Sequence, residues 1–161
     1  MAVFDAAIES HAEVGRWMDW CRADLVSDET AQFVSSRPLM WEAGHDFTFG
    51  MFDHQGRLLG ICGINQLNQL HRMANLGYWV RSSETGKGIA SEAVAGLAQW
   101  AFDQLGLARV EILMMLENEA SRRVAEKVGA VYEGRMRDRL QYQGQPYDAH
   151  LFGLLPSDLL S

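Results

Sequence analysis

The chain has 161 residues, of which 48% are hydrophobic, and its formal net charge is −7 at pH 7. This length predicts a single domain over residues 1–161 with a sizeable buried core. The negative charge argues against nucleic acid as a partner, since phosphates require a basic surface, and it suits a cationic amine or a basic peptide end. No apolar run approaches the roughly 20 residues of a membrane span, so no membrane partner is expected.

The sequence indicates neither a metal site nor a disulfide. Cys21 and Cys62 are the only cysteines, and no pair among the five histidines has the spacing of zinc ligands. Two reduced thiols are typical of a cytosolic protein. Residues 1–5 have neither a basic start nor an apolar core, so no signal peptide is expected, and the predicted location is the cytoplasm.

The first half of the chain predicts two helices followed by two strands. Residues 4–21 carry an apolar stripe at helical spacing, and Ser27 begins a second helix that runs to about residue 43. Pro38 is expected to kink or split this second helix because proline lacks an amide N–H. Runs of β-forming residues then predict strands at 47–52 and 58–67, with a hairpin turn between them.

The second half of the chain alternates strands with helices. The expected order is a strand, a long amphipathic helix, a buried strand, a shorter helix and a closing pair of strands. Their limits are residues 72–81, 90–105, 110–116, 119–129, 131–142 and 147–155. This order predicts an α/β (α+β) fold, in which a mixed sheet carries helices on its faces.

A glycine-rich turn joins the third strand to the long helix and predicts a phosphate or diphosphate site. Gly86 and Gly88 allow a sharp turn, and the helix after them offers unpaired N–H donors and a partial positive charge. The P-loop pattern fails because Lys87 lies between the glycines, and the dinucleotide pattern fails because Ser91 replaces a glycine. Two close glycines are equally typical of a plain turn.

Five ordered segments resemble the GNAT N-acetyltransferases, and most closely the RimJ/RimL branch, which acetylates protein N-termini. These segments are residues 77–80 (GYWV), 85–90 (TGKGIA), 109–111 (RVE), 118–121 (NEAS) and 126–130 (EKVGA). The resemblance covers nearly the whole chain. It implies a GNAT fold, with a central sheet of about six to seven strands, a splayed parallel pair in its middle, and acetyl-CoA bound between the two splayed strands.

The resemblance also implies which residues bind acetyl-CoA. The glycine turn would present N–H groups to the diphosphate, the strand edge near Val80 would pair with the pantetheine arm, and Asn118 would contact the same arm. Lys127 would approach the nucleotide end. The expected cofactor-binding residues are Trp79, Val80, Arg81, Thr85, Gly86, Lys87, Gly88, Ile89, Ala90, Ser91, Asn118, Ser121 and Lys127.

The implied chemistry is a direct transfer, in which an amine attacks the thioester carbonyl and coenzyme A leaves as a thiolate. Ser121 stands where RimL-type enzymes place a hydroxyl that protonates the sulfur, and Glu111 is a candidate base acting through water. Both have plainer interpretations. Asn118 and Ser121 also fit the N-cap and third positions of a helix, and Glu111 beside Arg109 also fits an ion pair.

Aromatic residues are candidates for the wall of an acceptor pocket. Trp17, Trp20 and Trp41 lie on or near the first two helices, and Tyr142 ends a predicted strand. A tryptophan on an amphipathic helix is usually a packing residue, so a core position is the alternative for each. The pair Tyr78–Trp79 is equally suited to the core and to the wall of a ligand site.

Three departures from the branch change what is expected. Thr85 replaces the usual Gln or Arg at the start of the turn, so a side-chain contact to phosphate is lost while the backbone contacts remain. The usual glutamate after the last helix has no match in residues 137–141, which leaves the base and the acceptor open. The usual N-terminal strand has no counterpart in residues 1–4, and the sheet edge exposed in its absence would favour a homodimer.

The sequence therefore predicts an enzyme that transfers an acetyl group from acetyl-CoA to a primary amine, first of all the α-amine of a protein or peptide. A small amine, such as a polyamine or an antibiotic, is an alternative acceptor. Two alternatives of another kind stay open, because a fold does not fix a function. One is a non-catalytic module that binds coenzyme A and regulates a partner, and the other is a plain nucleotide-phosphate binder.

Overall fold

The computed structural model describes residues 1–159. The helices of this part are α1 (Ala2–Val14), α2 (Ser27–Glu42), α3 (Ile89–Leu105) and α4 (Glu119–Lys127). The strands are β1 (Phe47–Phe52), β2 (Leu58–Asn68), β3 (Met73–Val80), β4 (Arg109–Met115), β5 (Val131–Tyr142) and β6 (Gln145–Leu154). Most limits lie within one or two residues of those that the sequence predicts. None of the helices described is both long and apolar enough to cross a membrane.

The six strands form one mixed sheet in the order β1-β2-β3-β4-β6-β5. All neighbours are antiparallel except β3 and β4. This parallel pair is short, because residues 73–75 pair with residues 109–111 and no pairing follows. Strand β4 continues beside β6, while β3 continues beside β2. The sheet therefore opens into a V in its middle, which confirms the predicted mixed fold with splayed central strands.

The core lies on both faces of this sheet. On one face, α3 buries the stripe that the sequence predicts, and Gly106, at a φ of +64°, ends the helix as expected. On the other face, α1 packs Ala6 and Ala7 against Leu58 and Trp79. Helices α1 and α3 thus cover opposite faces of the sheet at β2 and β3.

The structure corrects the predictions for both N-terminal helices. Helix α1 ends at Val14 and not near residue 21, because the chain turns at Gly15 and comes back so close that a Cβ there would lie 2.3 Å from the carbonyl oxygen of Cys21. Helix α2 runs through Pro38 without being split. Pro38 has no N–H to donate to the carbonyl of Val34, four residues earlier. Val34 is exposed, so water can bind that carbonyl instead.

The β5–β6 hairpin fixes the segment that follows α1. Its turn consists of Gln143 and Gly144, whose φ values of +49° and +71° suit a tight two-residue loop. The hydroxyl of Tyr142 donates a hydrogen bond to the carbonyl oxygen of Gly15 at 2.6 Å, and the amide of Gln143 donates to Asp19 at 2.6 Å. Residues 15–20 are thereby held against the sheet.

The edges of the sheet are β1 and β5. Among residues 1–159 the chain starts with α1, and no strand precedes it, so β1 occupies the edge that an N-terminal strand would cover. Strand β5 is mostly exposed. The sheet edge that motivates the expected homodimer is thus present, and the homodimer itself stays a prediction.

An ion pair ties α1 to the end of β3. The buried guanidinium of Arg81 donates to Glu9 at 2.5 Å and to the carbonyl oxygen of Leu58 at 2.9 Å. The amide of Ser83 donates to the other oxygen of Glu9 at 3.2 Å. Hydrogen bonds from Ser83 and then from Arg81 lower the pKa of Glu9 to about 2. The segment that leads into the glycine turn is therefore anchored on α1.

Replacing Glu9 with Gln should destabilise the protein at pH 7 by about 1–3 kcal/mol, because the buried Arg81 loses its charged partner. The pKa of Glu9 lies below its ordinary value of 4.5, so the carboxylate stabilises the fold above pH 4.5 and loses this effect as the pH falls toward 2. The stability difference between wild type and Glu9→Gln should therefore close between these pH values in urea denaturation. Glu117→Gln, at an exposed position, is the control. A difference that stays constant from pH 7 to 2 would contradict this role.

Candidate functional site

A cleft of about 720 Å³ occupies the V between β3 and β4. Its walls come from the end of α1 and the residues after it, from β2, both splayed strands and β5, and from the glycine turn, the first turn of α3 and α4. Most of the residues that the sequence predicts for cofactor binding line it. They are Trp79, Val80, Thr85, Gly86, Gly88, Ile89, Ala90, Ser91, Asn118, Ser121 and Lys127.

The glycine turn has the geometry of an anion site. Gly86 and Gly88 have φ values of +77° and +82°, in the left-handed region that favours glycine. Gly88 opens α3, and no side chain caps this end of the helix. The first N–H groups of a helix lack intrahelical acceptors and carry a partial positive charge. The turn thus presents backbone donors to the cleft at the mouth where β3 ends.

Basic side chains add to the positive charge at this mouth of the cleft, although the chain as a whole is acidic. Lys127, Arg123 and Arg139 line the cleft, and the amine of Lys127 lies 3.7 Å from the position that a Cβ on Gly88 would take. The sequence prediction missed Arg123 and Arg139. Arg123 lies four residues before Lys127 on α4 and hence on the same helix face, a spacing that is visible in the sequence. Arg139 gives no local signal, since only the sheet brings it there.

The acidic residue of the turn is neutralised. Glu84 lines the cleft, but its carboxylate accepts a hydrogen bond from Arg57 at 2.6 Å and from Lys87 at 2.9 Å. The bond from Lys87 comes first among the causes that lower the pKa of Glu84. This pairing also explains why Lys87 is not among the cleft-lining residues, contrary to the sequence prediction.

The edge of β3 that faces the cleft has free backbone groups. Arg81 donates its N–H to Leu59 of β2 at 2.7 Å. Because hydrogen-bonding directions alternate along a strand, the N–H groups of Tyr78 and Val80 point to the opposite edge. Strand β4 does not pair with β3 beyond Asn75, so this edge is open to an amide-rich ligand.

Two hydroxyl groups meet on the opposite wall of the cleft. The Tyr78 and Ser121 hydroxyl oxygens lie 2.8 Å apart, and the carbonyl oxygen of Ser121, at 3.2 Å, is a second possible acceptor for the single Tyr78 proton. Burial raises the pKa of Tyr78 to about 12, so its hydroxyl stays protonated at neutral pH. The side chain of Asn118 accepts a hydrogen bond from the Ser121 amide at 3.2 Å, and thus caps α4 while lining the cleft.

Two further predicted residues lie outside the cleft. The side chain of Arg81 turns toward α1, as described above. Glu111 accepts hydrogen bonds from Arg109 at 2.9 and 3.0 Å, and Arg109 also binds Glu133 of β5. Glu111 is not among the residues that line the cleft. The plainer interpretation, an ion pair with Arg109 on the same strand, therefore describes its position.

A second cavity, of about 390 Å³, adjoins the cleft on the α1 and α2 side of the sheet. Gly77, Tyr78 and Trp79 of β3 line both spaces, as do Met18 and Asn65. The two spaces therefore meet where β3 runs along the open edge of the V.

The four aromatic candidates for an acceptor wall separate in the structure. Trp17 lines the cleft, and Trp20 lines the second cavity, where its ring lies 5.4 Å from that of Trp79. Trp41 lines neither space and packs against a cluster of Phe47, Phe49 and Trp100. The hydroxyl of Tyr142 is bound to the backbone after α1, so this residue supports the wall from behind.

Comparison with known proteins agrees with this geometry. A family model described as an acetyltransferase (GNAT) domain matches residues 2–131. YdaF of Bacillus subtilis, a putative ribosomal N-acetyltransferase, is 31% identical over 157 residues, which are 92% of this chain and 81% of that protein. A spermidine N(1)-acetyltransferase of Vibrio cholerae is 25% identical over 113 residues, or 70% of this chain and 65% of that protein.

A solved structure supports the fold. RimL, a ribosomal L7/L12 α-N-protein acetyltransferase in complex with coenzyme A, superposes with a TM-score of 0.84 at 24% identity, covering 96% of this chain and 86% of that chain. At this identity the likeness concerns the fold alone. The family model, by contrast, spans most of the sequence. The chain belongs to the GNAT family of acetyltransferases, in its RimJ/RimL-like branch.

Proposed function

We propose that this protein transfers the acetyl group of acetyl-CoA to the α-amine at the N-terminus of a protein or peptide. One observation carries the proposal. The cleft that begins at the glycine turn and the second cavity meet at the same residues, 77–79, of the open strand β3. A thioester lying along β3 and an amine reaching it from the second cavity would meet at this junction, which is the arrangement that direct transfer requires.

The cleft suits acetyl-CoA along its whole length. Backbone donors of the glycine turn fit the diphosphate, and Lys127 with Arg123 fits additional phosphate charge. The open edge of β3 fits the amides of the pantetheine arm. One of its N–H groups, at Tyr78 or Val80, would polarise the thioester carbonyl and stabilise the negative oxygen that forms when the amine attacks.

Ser121 would protonate the departing sulfur. For this, the Ser121 hydroxyl must not use its proton in a hydrogen bond within the protein, so that the proton can pass to a sulfur atom in the cleft. Tyr78, which stays protonated, can donate to the Ser121 oxygen at 2.8 Å and thus leave the serine proton available. We assign Tyr78 as a positioning residue for Ser121 on this basis.

The state of the carboxylates favours an α-amine as acceptor. Those lining the two spaces all accept hydrogen bonds: Glu13 from Ser82, Glu84 from Arg57 and Lys87, Glu29 from Arg22, and Asp46 from Arg37. The three that pair with cations, Glu84, Glu29 and Asp46, are thereby less available as bases. An α-amine has a pKa of about 7.7–8.0 and is partly neutral near pH 8, whereas a lysine or polyamine amine, near 10.4, must first lose a proton.

Thiol release measured with acetyl-CoA and a panel of amines tests the proposal. Peptides with a free N-terminus should release coenzyme A thiol, and the same peptides with a blocked N-terminus should not, even when they contain lysine. Turnover of spermidine or of the lysine side chain alone would point to the small-amine alternative. Binding of acetyl-CoA without turnover of any amine would favour the regulatory module.

Gly88→Glu should abolish binding of acetyl-CoA. The carboxylate would repel the diphosphate, and any side chain at a φ of +82° costs about 1–2 kcal/mol. Gly106→Glu is the matched control, since Gly106 has a φ of +64° at the other end of the same helix. Wild type and Gly106→Glu should each gain about 2.7 kcal/mol of stability from acetyl-CoA at 100 times its Kd, measured by thermal shift. A full gain in Gly88→Glu would refute the assignment of the turn, whereas a gain with ATP but not with acetyl-CoA would favour the plain nucleotide-phosphate binder.

Ser121→Ala should lower kcat about 10- to 100-fold, with little change in KM for acetyl-CoA. This loss of kcat is at or below the smallest rate contribution typical of general acid catalysis, because a thiolate is already a good leaving group. The α4 cap persists in the variant, since Asn118 accepts its bond from the backbone amide. Ser35→Ala, on exposed α2, is the control. An unchanged kcat in steady-state kinetics would return Ser121 to a purely structural role.

A further inference from the structure

The second cavity is mainly apolar. Its walls are formed by side chains from the turn after α1, from α2 and from the sheet. The large side chains without a polar end group or with an indole ring are Met18, Trp20, Leu25, Phe33, Ile61 and Trp79. Trp20 and Phe33 are partly exposed and stand at its rim, whereas Trp79 and Leu25 are buried within it. An apolar space that opens beside a reaction site favours an apolar group of the substrate.

The two carboxylates at this cavity are already paired. Glu29 accepts hydrogen bonds from Arg22 at 2.7 and 2.8 Å, and this pairing lowers its pKa. Asp46 accepts from Arg37 at 2.9 Å and from Thr48 at 2.7 Å. A second ammonium group, such as that of a polyamine, would enter an apolar space without a free counter-charge, which is unfavourable.

The remaining polar groups of the cavity are also engaged or inert. The buried hydroxyl of Thr30 donates to the carbonyl oxygen of Ser27 at 2.8 Å. Asn65 accepts from Asn75 at 2.9 Å. Burial raises the pKa of the Cys62 thiol to about 11, so this cysteine is a neutral wall residue and not a nucleophile near pH 8.

We infer that this cavity binds a large apolar group carried on the carbon next to the acceptor amine. The inference rests on the proposed function, because the proposed transfer places the attacking amine at the junction formed by residues 77–79. The group beside that amine then enters the cavity. The preferred peptides are those whose first residue is Leu, Met or Phe, and the disfavoured acceptors are peptides that begin with Ser and polyamines.

A series of short peptides that differ only in the first residue tests this inference on the unmodified protein. Since even one methylene in an apolar pocket changes kcat/KM by about 10–200-fold, the Leu, Met and Phe peptides should exceed the Ala and Ser peptides at least about tenfold. Leucine amide carries the same apolar group beside an α-amine of the same kind, without the rest of a peptide. Its turnover at a rate near that of the Leu peptide would assign the site to small apolar amines, and a much lower rate would assign it to peptides.

A charge at the rim tests the same cavity by mutation. Phe33→Glu should lower kcat/KM for the Leu peptide about tenfold and change that for the Ser peptide by no more than about twofold. Val34→Glu is the matched control: it lies next in the same helix, is exposed and does not line the cavity. Its kinetics should match those of wild type for both peptides.

The outcomes distinguish a failure of the apolar specificity from a failure of the proposed acetyltransferase function. A Ser peptide or spermidine that reacts as well as the Leu peptide overturns the apolar specificity and leaves the acetyltransferase proposal intact. Equal losses for both peptides in Phe33→Glu do the same. If acetyl-CoA stabilises the protein but no amine of any class is acetylated, the proposed function fails, and the specificity inference fails with it.

Discussion

Beyond residues 75 and 111, strands β3 and β4 no longer pair, and this separation is the constraint on which the rest of the structure depends. Buried backbone N–H and C=O groups need partners, so a sheet opened in its middle must fill the gap. Here the open edge of β3 faces a cleft that is closed at one end by the remaining paired residues. A ligand with its own amides can complete the hydrogen bonding that β4 leaves unmade.

The surrounding elements keep the V open and give its two ends different chemistry. Helix α3 holds the glycine turn at the mouth through its buried apolar stripe, and the ion pair of Glu9 with Arg81 fixes the segment that leads into the turn. The β5–β6 hairpin holds residues 15–20 through Tyr142 and Gln143, and Trp20 of this segment packs against Trp79 of β3. The mouth is therefore rich in donors and cations, while the space beside residues 77–79 is apolar.

Much of the fold follows from local patterns. The apolar period of α3, the β-rich runs and the glycines at the helix ends act over short stretches, so their limits were predicted closely. The end of α1 was not, because it depends on the approach of Cys21 to Gly15, which no neighbouring residue announces. The sequence likewise predicts that Pro38 kinks or splits α2, and the helix is not split because the affected turn lies at the surface.

By itself, the sequence determined the glycine turn, the strand before it and the family to which they belong, since these depend on residues that are close in the chain. Only the tertiary structure decided which side chains reach the site. It set Arg139 into the cleft, turned Glu111 toward Arg109 and joined Tyr78 to Ser121. The reason is that a side chain's direction follows from sheet pairing and from partners distant in sequence, which the periodicity of one segment does not contain.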